Sequence, residues 1–154
     1  MNCTAIMTEA PPSIPANATV ADAAAKLAAH NHTSLPVIDA EGRYVGMFGI
    51  YDLLGLLAPR VALAGDLKAN LRFIAGDHDE LRLHYGELKT RCVSEAADRN
   101  ALRIGPDASA TEAIRLCCRS QMPVPVIEKD TGKVLGLISC WDAMRALTDA
   151  PKRM

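Results

Sequence analysis

Leu35-Pro36-Val37-Ile38-Asp39 and Val124-Pro125-Val126-Ile127-Glu128 are one short phrase written twice. Each is an apolar, β-branched run closed by an acid, which reads as a buried strand. A polar turn containing glycine follows each time: Ala40-Glu41-Gly42-Arg43 in the first copy, Lys129-Asp130-Thr131-Gly132-Lys133 in the second. Next comes a second apolar run, Tyr44-Val45-Gly46-Met47-Phe48-Gly49-Ile50 and Val134-Leu135-Gly136-Leu137-Ile138-Ser139-Cys140. Both copies then carry an aromatic-Asp pair, Tyr51-Asp52 and Trp141-Asp142, and a Leu/Met/Ala-rich helical stretch. Self-similarity of this kind is the mark of a repeated structural unit.

The repeat extends upstream. Asn17-Ala18-Thr19-Val20-Ala21-Asp22-Ala23 matches Asp107-Ala108-Ser109-Ala110-Thr111-Glu112-Ala113. Thr19 and Ser109 each stand three residues before an acid, the capping-box pattern of a helix start. The spacing predicts helices over Val20 to Asn31 and Ala110 to Ser120. Each copy thus reads extended segment, helix, strand, turn, strand, helix, a β-α-β-β-α unit of mixed α+β (α/β) class. The helix between two extended segments makes a crossover connection. One copy is too small to close a core, and two packed sheet-to-sheet bury their aliphatic faces.

The expected organisation is repeat one over 1–58, a helical connector over 59–91, repeat two over 92–148 and a tail over 149–154. In the connector, Pro59 stops the preceding helix. Leu63, Leu67, Leu71 and Ile74 recur at helical spacing, and Leu81, Tyr85 and Leu88 do so after Gly76-Asp77. The apolar faces of these two pieces either cover the module's own core, the preferred reading, or form a dimer surface.

A hydrophobic fraction of 49% permits a core, and 4% aromatics make that core aliphatic. The formal net charge of -1 supplies no basic footprint for nucleic acid. No apolar run approaches the roughly 18 residues of a membrane span, and the N-terminus lacks the pattern of a signal peptide. Five cysteines, with no Cys-x-x-Cys, read as reduced thiols of a cytoplasmic protein without a zinc site. The adjacent Cys117 and Cys118 read as small core or half-core residues.

Taken together, the acid-Ala helix start, the Pro-Val-Ile strand, the glycine turn and the Gly-hydrophobic-hydrophobic-[Ser/Thr]-x-x-Asp ending resemble the CBS domain family, named after cystathionine β-synthase. The resemblance covers residues 3 to 57 and 92 to 148. It implies paired units with two central sheets and outer helices, commonly dimerised. It also implies a non-catalytic regulatory role. Many such pairs hold an adenosine-containing ligand (AMP, ADP, ATP or S-adenosylmethionine) between the repeats and act on a separate partner protein. Others bind nothing known and serve as dimerisation or docking modules. No cofactor is required in either case.

Within that resemblance Asp142 and Ser139 are the leading ligand residues. A carboxylate accepts two hydrogen bonds from a vicinal diol such as ribose. A hydroxyl and free amides at a helix start receive phosphate. Ser139-x-x-Asp142 is equally a capping box. Copy one keeps Asp52 but has Gly49 in place of the hydroxyl residue, losing one hydrogen bond of roughly 0.5–1.5 kcal/mol. Copy two is therefore expected to hold the better site. The family places the walls around the base at Ile14 and Ile104, and at Leu35, Met122 and Pro123, although each also reads as plain core. His30-Asn31-His32 has metal-ligand spacing without a third ligand nearby, and reads as a helix end near the cleft. His78 and His84 read as surface. No catalytic constellation is identifiable.

Overall fold

The computed structural model describes residues 1–30, 32–57 and 78–148. Asn31, Pro59, the Leu63 to Ile74 periodicity, Gly76-Asp77 and the 149–154 tail lie outside them. The first repeat runs β1 (Thr8–Glu9), β2 (Ile14–Pro15), α1 (Val20–His30), β3 (Ser34–Ile38), β4 (Tyr44–Gly49) and α2 (Ile50–Leu57). The connector contributes α3 (His78–Leu88), and α4 (Val93–Ala96) opens the second repeat. The second repeat then runs α5 (Ala110–Ser120), β5 (Val124–Ile127), β6 (Val134–Ile138) and α6 (Cys140–Thr148).

The two Pro-Val-Ile phrases are strands and form antiparallel hairpins with the runs that follow. Their turns depend on Gly42 (φ +80°) and Gly132 (φ +71°), a left-handed conformation that costs glycine little. The Thr19–Asp22 capping box forms in full, Thr19 N also donating to Asp22 Oδ2 at 3.4 Å, whereas Ser109 caps its helix through the hydroxyl bond alone. Asp22 N donates to Thr19 Oγ1 at 3.1 Å, and Glu112 N donates to Ser109 Oγ at 3.1 Å. Helix α1 is the crossover between β2 and β3, which pair in parallel with Ile14 opposite Val37. The corresponding segment of repeat two narrows to a single parallel bridge, Ile104 to Val126.

Apart from the Pro-Val-Ile strands, which stand 89 positions apart, equivalent residues of the copies stand ninety positions apart, as with Thr19 and Ser109 or Asp52 and Asp142. The tertiary structure uses this register to exchange segments. Strand β1 belongs by sequence to repeat one but pairs with β6 of repeat two, giving the sheet order β1-β6-β5. Its counterpart Asp98 bridges to Met47 on β4. Likewise Asn2 bridges to Ser109, and Cys92, ninety positions after Asn2, bridges to Thr19.

The core follows the exchange. Cys3, Ile6 and Met7 pack with Ile104, Ala113, Cys117, Val124, Val126 and Ile138. Val93, the counterpart of Cys3, packs with Ile14, Val20, Leu27, Leu35, Val37 and Phe48. Each repeat is thus closed by a segment of the other. Strand residues alternate faces, and Pro36, Met47, Pro125 and Leu137 on the opposite faces are buried too. Both hairpins are therefore covered on both sides, and their turns meet where Tyr44 N donates to Gly132 O at 2.8 Å. The connector serves the helix start of repeat one. The otherwise unpartnered amides of Val20 and Ala21 donate to the carbonyls of Arg91 (2.9 Å) and Lys89 (3.1 Å).

Candidate functional site

Asp52 and Asp142 occupy equivalent junctions, where the last strand of each hairpin turns into a helix. Their surroundings differ. Asp142 is only 7% exposed and its carboxylate is saturated. Oδ2 accepts from the amide and the hydroxyl of Ser139, both at 2.8 Å. Oδ1 accepts from the Arg145 guanidinium at 2.8 Å and from the Thr8 hydroxyl at 3.2 Å. Ser139 Oγ in turn accepts from Asp142 N at 3.2 Å. The Ser139–Asp142 pair is thus a complete capping box, tied to the exchanged strand β1 and to α6.

Asp52 is half-buried and, among the described residues, accepts only from Gly49 N, at 2.8 Å to Oδ2. Ninety residues after Thr8 stands Asp98, so a second carboxylate replaces the hydroxyl donor beside Asp52. Burial pushes the Asp52 carboxyl above the usual carboxylate range, the negative charge of Asp98 adds to this, and the Gly49 amide opposes it. A raised folded-state value means that the folded chain holds this proton more tightly than the unfolded one. The contribution to stability is complete below the ordinary carboxylate value and is lost as pH rises through the folded value. Replacing Asp98 by Asn is expected to move the Asp52 midpoint downward and to raise stability near neutral pH. Carboxyl NMR titration beside urea unfolding checks both; an unchanged Asp52 midpoint rejects the coupling.

Gly49 is not a position from which a hydroxyl was simply lost. A Cβ there would lie 2.4 Å from the Thr33 carbonyl oxygen and 3.0 Å from Ser34 Cβ. That carbonyl also accepts from Ile50 N at 2.9 Å, which holds it in place. The turn into α2 passes too close to the chain entering β3 for any side chain.

Asp52 opens into a cleft of about 680 Å³ built from both repeats. That volume lies within the usual range for small-molecule sites. Repeat one supplies Ser34, Met47, Tyr51 and Asp52. The segment entering repeat two supplies Asp98, Asn100, Ala101 and Leu102, and the end of α5 adds Arg119, Ser120, Gln121, Met122 and Pro123. The cleft therefore gathers two carboxylates, Asp52 and Asp98, apolar walls and one guanidinium.

Of the expected walls, Met122 and Pro123 line this cleft. Ile14 and Leu35 have no exposed surface and sit in the core of repeat one. Ile104 is in the core of repeat two and borders a separate groove with Arg103 and Lys129. Their core reading is the one the structure displays. Asp98, Asn100 and Arg119 escaped the motif reading; the repeat register carried a signal for Asp98 alone, as the counterpart of Thr8. His32 is half-buried, and burial and the nearby His30 lower its basicity, partly offset by Asp142. His84 is half-buried, its Nδ1 3.5 Å from Leu57 O, while the His78 side chain lies outside the description. Among the described residues no three His, Cys, Asp or Glu side chains converge as metal ligands. Cys117 is buried, its thiol pushed up to about 11 by desolvation, whereas Cys118 is exposed. No helix among the described residues is long and apolar enough to cross a membrane.

Two repeated β-α-β-β-α units with exchanged segments and a cleft between the copies define a paired-domain architecture. The CBS domain family matches the sequence at residues 3–59 and 93–149, well over half of the chain, which therefore belongs to that family as a CBS pair. The solved CBS-pair protein CBSX2 from Arabidopsis thaliana is similar with a TM-score of 0.74 and 23% identity, over 96% of this chain and 94% of that one. CBSX2 in complex with AMP is similar with a TM-score of 0.70 and 22% identity, over 96% of each chain. A CBS domain-containing protein from Bacillus anthracis has a TM-score of 0.73 at 12% identity, over 98% of this chain and 95% of that one. At these identities the likeness concerns the fold. No curated protein is similar enough to count as a match.

Proposed function

We propose that the chain is a non-catalytic sensor that binds an adenosine-containing ligand between its repeats and transmits occupancy to a separate partner protein. The observation that carries this reading is the Asp52 carboxylate. Among the described residues it has one internal hydrogen bond, and it faces a two-repeat cleft with apolar walls at Met122 and Pro123. Ribose hydroxyls donate to Asp52, the first-turn amides of α2 beyond Ile50 and the Arg119 guanidinium meet phosphate, and the walls hold the base. The AMP held by CBSX2, a protein of the same fold, supports this ligand class. The proposal puts the ready site at Asp52, reversing the order expected from the Ser139/Gly49 difference, because Asp142 has no acceptor position left. Ligand alters the partner only through unequal affinity for two conformations of the pair.

Thermal unfolding with AMP, ADP, ATP and S-adenosylmethionine in turn tests this. A ligand at about 100 times its dissociation constant stabilises by about 2.7 kcal/mol. AMP is expected to raise the melting temperature, Asp52→Ala to abolish the rise and Asp142→Ala to retain it. A flat response to the whole panel overturns the reading.

The same reading includes a homodimer. Tyr51 and Leu54 on α2, with their counterparts Trp141 and Met144 on α6, are 47–65% exposed, and Leu147 is 71% exposed. Two equivalent apolar patches suit a self-complementary interface. Leu54→Glu combined with Trp141→Glu is expected to convert dimer to monomer in sedimentation equilibrium. A monomeric unmodified chain rejects the dimer.

A further inference from the structure

We propose that Arg145 is a built-in occupant of the second ribose position, holding the Asp142 carboxylate so that the chain offers one ready adenosyl site and one that is closed. This rests on the reading of Asp52 and Asp142 as diol-binding carboxylates. A carboxylate has about four lone-pair positions. At Asp142 all are taken, by Ser139 N (2.8 Å), Ser139 Oγ (2.8 Å), Arg145 (2.8 Å) and Thr8 (3.2 Å). The Ser139 amide contact recurs at Asp52 through Gly49 N. The two on Oδ1 do not recur. The counterpart of Thr8 is Asp98, which has no proton to donate as a carboxylate, and the counterpart of Arg145 is Gly55, which has no side chain.

The two occupants of Oδ1 are not equal competitors. The Thr8 hydroxyl resembles a ribose hydroxyl in strength, so exchange between them is close to even. Arg145 brings a positive charge to a carboxylate that is 7% exposed, its own side chain being 22% exposed. A charged donor roughly doubles the strength of the hydrogen bond. A neutral diol cannot supply that charge. Removing the guanidinium leaves three donors on Asp142, so the carboxylate is not orphaned and the fold has no reason to fail there.

Calorimetric titration with AMP tests the proposal. The unmodified chain is expected to bind one AMP, abolished by Asp52→Ala. Arg145→Met keeps an apolar stem without a donor and is expected to bind a second AMP, lost again when Asp142→Asn is added. Arg145→Ala repeats the measurement with a shorter side chain, and melting curves verify that both variants fold. Two sites in the unmodified chain, or a single Asp52-dependent site that stays single in both Arg145 variants, overturn this inference and leave the sensor reading standing. Absence of AMP binding in every form overturns both.

Discussion

Deleting residues 1–9 is expected to unfold the second repeat, although these residues belong by sequence to the first. The segment places Cys3, Ile6 and Met7, all less than 10% exposed, in the core that Val124, Val126 and Ile138 line. Burying each of the two larger side chains is worth about 1.5–3 kcal/mol. The same deletion removes Met1 O, which accepts from Ala110 N at the start of α5 (2.9 Å), and the strand that pairs with β6. Together these losses come to roughly 4–8 kcal/mol, comparable with the 5–15 kcal/mol that usually separates a folded domain from its unfolded state. Hydrogen exchange is expected to lose protection in α5, β5, β6 and α6 before α1, β3 and β4. Urea unfolding of the deleted chain with an unchanged midpoint refutes the exchange of cores.

Restoring the hydroxyl that the first repeat lacks is the second large effect. Gly49→Ser matches Ser139 of the second repeat and is expected to destabilise by about 1–3 kcal/mol, as overpacking of a filled site does. The serine Cβ would begin 2.4 Å from the Thr33 carbonyl oxygen. That oxygen belongs to backbone fixed by β3 and by its bond from Ile50 N. The clash is therefore relieved by moving the β4–α2 junction, which carries Asp52. AMP binding is expected to weaken, not to strengthen. A stable Gly49→Ser chain with tighter AMP binding in urea unfolding and titration shows that the junction yields without cost. It also restores the simple view of Gly49 as a missing hydroxyl.

These two variants mark where reading the chain residue by residue stops. The hairpins, their glycine turns and both capped helices were legible because each depends on contacts within a few residues. The apolar alternation of Val124-Pro125-Val126 needs only its neighbours to become a strand, and Thr19 needs only Asp22 to cap a helix. Met122 and Pro123 were legible as cleft residues because the family places them there. Ile14 and Leu35 look the same in sequence, yet their side chains are buried in the core of repeat one.

Sequence alone determined that two like units exist, the order of helices and strands in each, where the two capped helices start, and which carboxylates follow the last strand of each. Only the tertiary structure decided what those carboxylates meet. Segments ninety positions out of place, β1 and the stretch around Asp98, cross to the opposite hairpin, because each repeat lacks the apolar surface to close its own core. That crossing brings Thr8, a donor, to Asp142 and Asp98, a second carboxylate, to the neighbourhood of Asp52. Arg145 adds the charge that completes the difference. Two motifs that are near copies in sequence become one carboxylate satisfied from within and one left open toward the cleft.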